Sequence, residues 1–109
     1  MYNLIQKIKE YSLEINKNGA KEESRMLNEY AIKLADKRQS SDTLKEFYQF
    51  TQHYKGMRDM IVPNYSEKEW TTITKDLEKH SKLAMIEHGL LKKSFFTRIL
   101  DFIFFNKHN

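Results

Sequence analysis

The chain has 109 residues, no cysteine, three glycines, one proline and a formal charge of +4 from 19 basic and 15 acidic side chains. That length sets a single domain with one modest core. The missing cysteines exclude disulfides, a thiolate nucleophile and any cysteine–metal site, and the scarcity of turn formers argues against a sandwich or barrel.

The positive charge is unevenly placed. Residues 1–88 hold fifteen Lys or Arg against fourteen Asp or Glu, whereas residues 89–109 hold four against one. The first expected unit is therefore a nearly neutral body over residues 1–89. A basic C-terminal piece over residues 90–109 completes the same domain.

In chain order, Leu4, Ile8, Tyr11 and Ile15 recur at the 4-3-4 spacing of one helical face, with Ile5 beside them. Asn16-Lys17-Asn18-Gly19 ends that helix, because Asn and Gly accept the left-handed conformation of a C-terminal cap. A second helix is predicted over residues 20–38, with Leu27, Tyr30, Ala31, Leu34 and Ala35 inward and Met26 at the edge. Gln39 to Asp42 reads as a polar connector. Ser41, Asp42 or Thr43 is the expected cap of the next helix, Thr43 and Glu46 having capping-box spacing.

The third helix is predicted over residues 44–61, with Leu44, Phe47, Tyr48, Thr51, Tyr54 and Ile61 on one side, widened by Phe50 and Met57. Pro63 disfavours helix at Val62 and closes the element. Ser66-Glu67-Lys68-Glu69 then carries the capping-box signature, and Trp70, Ile73, Leu77 and Ala84 follow along a fourth helix reaching Gly89. Short connectors make an all-α, up-down bundle of four to five helices the expected fold.

The fifth element would be the segment KKSFFTRILDFIFF, residues 92–105. On a helical wheel Lys93, Thr97, Arg98 and Asp101 fall in an arc of roughly 140°, and Phe95, Phe96, Ile99, Leu100, Phe102 and Ile103 occupy the other side. Phe104 and Phe105 intrude on the polar arc. This amphipathic helix with a very broad apolar side is either the last core helix, a handle for a partner protein, or a foot on a membrane surface. A transmembrane span is not expected, since Lys92, Lys93, Arg98 and Asp101 break the stretch well short of the ~20 apolar residues required.

Signals for chemistry are sparse. Asp76 and His80 stand at i, i+4 and could orient an imidazole, but the sequence has no H-E-x-x-H, no paired E-x-x-H, no phosphate-binding glycine loop and no G-x-S-x-G. No enzymatic activity, cofactor or metal is expected. Phe47, Tyr48, Phe50 and Tyr54 interleave with Lys45, Lys55 and Arg58 as nucleobase-stacking surfaces do, yet their helical spacing fits a core better.

The expected function is thus a non-catalytic helical module that binds another protein, or its own copy, as adaptor, regulator or inhibitor. Its contacts would be Phe95, Phe96, Ile99, Phe102, Ile103, Phe104 and Phe105 with a basic rim of Lys92, Lys93 and Arg98. A peripheral protein on an anionic membrane surface is the alternative, and a nucleic-acid-associated protein comes third. With no cysteine and no visible leader, since Lys7, Lys9, Glu10 and Glu14 interrupt the start, the expected location is cytoplasmic or at the inner membrane face.

Overall fold

A computed structural model describes residues 1–53 and 55–91. Within them the protein is an all-α bundle with four α-helices: α1 (Tyr2–Lys17), α2 (Lys21–Ala35), α3 (Ser40–Gln52) and α4 (Glu67–Glu87). Neighbours close a ring, since α1 packs on α2 and α4, and α3 packs on α2 and α4. The apolar stripes meet at the centre, where Ile8, Ile15, Leu27, Ala31, Leu44, Phe47 and Leu77 are wholly buried.

Local chemistry sets the direction of each helix. Gly19, at φ +94°, follows the cap residue Asn18, and the amides of Gly19 and Ala20 close back on the carbonyls of Asn16 and Ile15. This paired closure ends α1 and buries Ala20, so α2 returns along α1. The two helices approach closely at Ser12 and Ser24, whose side chains are small. The Ser12 hydroxyl donates to the Ser24 carbonyl at 2.8 Å, and the Ser24 hydroxyl donates to the Ser12 carbonyl at 2.7 Å. Both serines are buried with their polar atoms satisfied, which is the condition for keeping hydroxyls inside a core.

The connector after α2 differs from the expectation. Helix α2 stops at Ala35, not Arg38, and α3 starts at Ser40. The Asp36 carboxylate causes both changes by accepting from the Arg38 amide at 3.1 Å and from the Gln39 side chain at 3.0 Å, a local turn that competes with helix. The cap position of α3 is Gln39, with no side-chain cap, and Thr43 lies buried inside the helix instead of capping it. Ala35, read as inward, is exposed.

Helix α3 is also shorter than predicted. It ends at Gln52, a 3-10 turn follows at Met57–Asp59, and Ile61, placed inward by periodicity, is 95% exposed. Gly56 lets the chain pass against the Phe50 carbonyl, where any Cβ would collide. The buried indole N–H of Trp70 donates to the main-chain oxygen of Met57 at 2.6 Å, which also accepts the Met60 amide of the 3-10 turn. Tyr54, assigned to this face, lies outside the described residues.

The fourth helix follows the reading closely. The Ser66 hydroxyl accepts from the Glu69 amide at 3.1 Å and the Glu69 carboxylate accepts from the Ser66 amide at 3.0 Å, a complete capping box. The hydrogen bond from Tyr11 to Asp76 and the ion pair of the Met1 ammonium with Glu87 place α4 antiparallel to α1. Among the described residues, no helix is long and apolar enough to cross a membrane.

Candidate interaction surface

The proposed contact residues Lys92, Lys93, Phe95, Phe96, Arg98, Ile99, Phe102, Ile103, Phe104 and Phe105 all lie outside the described residues, so the structure neither brings them together nor separates them. What it does describe is the point from which they depart. Gly89 has φ +71°, its amide closes on Ile86, and the Leu90 amide closes on the Met85 carbonyl at 2.8 Å. This is the same paired closure that ends α1. Leu90 and Leu91 are half-buried against the core.

The candidate imidazole sits on the shoulder of α4 that faces α1. The Tyr11 hydroxyl donates to Asp76 at 2.6 Å, and His80 Nδ1 lies 2.8 Å from the Asp76 carbonyl oxygen and 3.5 Å from its carboxylate. A carbonyl oxygen only accepts, so Nδ1 carries the hydrogen. Burial, then the bond to Asp76, pushes the Tyr11 phenol well above its ordinary range. The groove beside this cluster is lined by Lys7, Glu10, His80, Leu83 and Glu87. These contacts tie two helices together by ordinary side-chain bonds. Among the described residues, no group of three or more His, Asp or Glu is placed to hold a metal ion.

The aromatic residues of α3 that the structure describes, Phe47, Tyr48 and Phe50, pack in or against the core. Phe47 and Tyr48 are buried, Phe50 is half-buried, and Tyr30 packs edge-on to Phe47 and stacked on Phe50, with centroids 4.8 and 5.8 Å away. Arg58, one of the bases interleaved with them, donates to the Thr51 carbonyl and to Glu78. Its charge is used inside the fold.

One surface was missed by the sequence reading although its signal was present. Lys68, Lys75, Lys79 and Lys82 recur on α4 at offsets of seven, four and three, and so fall within an arc of about 60° on the wheel. That arc lies opposite the buried Trp70, Leu77 and Ser81. Lys68, Lys75 and Lys79 are exposed and Lys82 is half-exposed. Four carboxylates of α4 are engaged elsewhere, Glu69 in the capping box, Asp76 with Tyr11, Glu78 with Arg58 and Glu87 with the Met1 ammonium, while Glu67 beside Lys68 is exposed. Among the described residues, none comes within 4.0 Å of these four lysines.

No protein-family model matches the sequence, and no curated protein or solved structure matches it.

Proposed function

We propose that the protein is a non-catalytic helical interaction module that presents residues 90–105 to a partner protein or to a second copy of itself. The observation that supports this most directly is the closure of α4 at Gly89. The left-handed closure and the packing of Leu90 and Leu91 anchor the start of a stretch in which eight of the fourteen residues 92–105 are large and apolar. Such a stretch, held at one end by a stable bundle, is a suitable handle for a groove on another protein. The aromatics of α3 and the Asp76–His80 pair, the two other candidates for a site, are occupied in packing and helix–helix bonding.

The test uses the intact chain beside Ile99→Asp/Phe102→Asp as matched baits, with sedimentation velocity to report self-association. A partner or dimer held by the intact chain and lost by the variant is the expected outcome. Identical captured proteins and identical sedimentation for the two would overturn the reading.

The lysine crest of α4 favours a second reading, a peripheral protein on an anionic membrane surface at the inner face of the membrane. There Lys92, Lys93 and Arg98 would meet headgroups while the Phe side chains enter the interface.

A further inference from the structure

We infer that the outer crest of α4, formed by Lys68, Lys75, Lys79 and Lys82, is a contact surface for an anionic lipid bilayer. The inference rests on the membrane reading and adds to it a surface on the folded body, separate from residues 92–109.

Four lysines on one helix are commonplace when carboxylates alternate with them, because Glu and Lys four apart offset each other. On α4 the acids flank the lysine arc instead of alternating with it. Glu78 stands four residues before Lys82, yet it pairs with Arg58. Asp76 stands three before Lys79, yet it accepts from Tyr11. Lys75 and Lys79 are left as like charges one turn apart, as are Lys79 and Lys82, an arrangement that works against helix stability. The fold thus turns Asp76 and Glu78 toward neighbouring elements and leaves the four lysines toward solvent, flanked by the exposed Glu67, Glu69 and Glu87.

The shape of the crest suits a plane. At 1.5 Å per residue, Lys68 to Lys82 runs about 21 Å along a straight helix, so all four ammonium groups can approach a flat surface together. Ile86 lies within the same arc, half-buried, one turn beyond Lys82. After Gly89 the sequence supplies two further lysines and then the Phe-rich stretch. All four crest cations are lysines. Their compact charges on flexible stems fit a diffuse anionic field, whereas paired recognition of individual phosphates on nucleic acid favours arginine.

The test measures co-sedimentation of the full chain with phosphatidylcholine vesicles, with and without phosphatidylserine, at low and physiological salt. Lys75→Gln/Lys79→Gln/Lys82→Gln is compared with Lys9→Gln/Lys21→Gln/Lys33→Gln, which removes the same charge from α1 and α2. Each lysine close to an anionic surface is worth about fivefold in partitioning, so the crest variant should bind phosphatidylserine vesicles at least ~10-fold more weakly. The control variant should lose less than about threefold, and salt should weaken the intact protein. Circular dichroism checks that both variants remain helical. Equal losses in the two variants, or no loss in the crest variant, would overturn the crest while leaving the membrane reading in place. An intact protein that ignores phosphatidylserine would overturn both. Binding to random duplex DNA that drops only in the crest variant, with vesicle binding unchanged, would reassign the crest to nucleic acid.

Discussion

The indole N–H of Trp70 donates to the main-chain oxygen of Met57 at 2.6 Å, and both residues are almost completely buried. This bond ties the segment after α3 to the first turn of α4, and with Arg58 bridging Thr51 and Glu78 it closes one side of the ring. Trp70→Phe keeps most of the apolar contact and removes only the donor. The Met57 carbonyl keeps the Met60 amide at 3.3 Å, so the loss should be about 0.5–1.5 kcal/mol in urea unfolding. An unchanged midpoint would show that the turn is held by other contacts.

Much of the fold was legible because its chemistry is local. The 4-3-4 stripe of α1, Gly19 as its terminator and the Ser66–Glu69 box act over a few residues, and the structure places each where the pattern put it. The end of α3 was not legible, since Phe47, Thr51 and Ile61 keep helical spacing while the break depends on Gly56 meeting Phe50 and on Trp70 requiring an acceptor. Those are contacts between distant residues, invisible to periodicity. Ser12 and Ser24 escaped for another reason, because polar residues do not count toward an apolar stripe even when they sit at its closest point. The lysine crest was visible on a wheel, but its isolation from carboxylates appears only once Asp76, Glu78 and Glu87 have found partners on other elements.

Removing the capping hydroxyl with Ser66→Ala should cost about 0.5–2 kcal/mol, because the Glu69 amide at the start of α4 loses its acceptor. The reciprocal bond from the Ser66 amide holds the Glu69 carboxyl below its ordinary value of 4.5. A depressed carboxyl stabilises the fold above that value and loses its contribution as pH falls through the lower folded value. Glu69→Gln preserves a side-chain acceptor and removes the titration. Its stability should therefore fall less steeply between neutral and acid pH than that of the intact protein. Parallel curves would remove Glu69 from the acid response.

Tyr11→Phe deletes the donor to Asp76 and should cost about 1 kcal/mol at neutral pH. The phenol is raised by burial first and by Asp76 next, so its folded value exceeds its unfolded one. A raised group gives its full stabilisation below the unfolded value of about 10 and loses it as pH climbs beyond that. Tyr30 and Tyr48 are raised in the same direction by their own burial. The variant should consequently show a shallower alkaline decline, not a flat one, in denaturation midpoints followed from neutral pH upward. A decline as steep as that of the intact protein would mean that Tyr11 ionises freely.

Gly56 and Gly89 are required for different physical reasons, and substitution separates them. Gly89 has φ +71°, and among the described residues no atom lies within 4 Å of where a Cβ would stand, so the cost of an alanine there is that of its left-handed backbone. Gly89→Ala should cost about 1–2 kcal/mol, and Gly89→Asn less, because the asparagine side chain tolerates that conformation. Gly56 has a negative φ of −101°, but its added Cβ would strike the Phe50 carbonyl, a backbone atom that cannot swing aside. Gly56→Ala should therefore sit at the upper end of the ~1–3 kcal/mol typical of overpacking, and asparagine there should be worse than alanine, because it adds further atoms to the same collision. The two sites thus reverse the order of Ala and Asn. Thermal melts of the four single variants decide it: if alanine is milder than asparagine at Gly89 as well, the left-handed closure does not terminate α4.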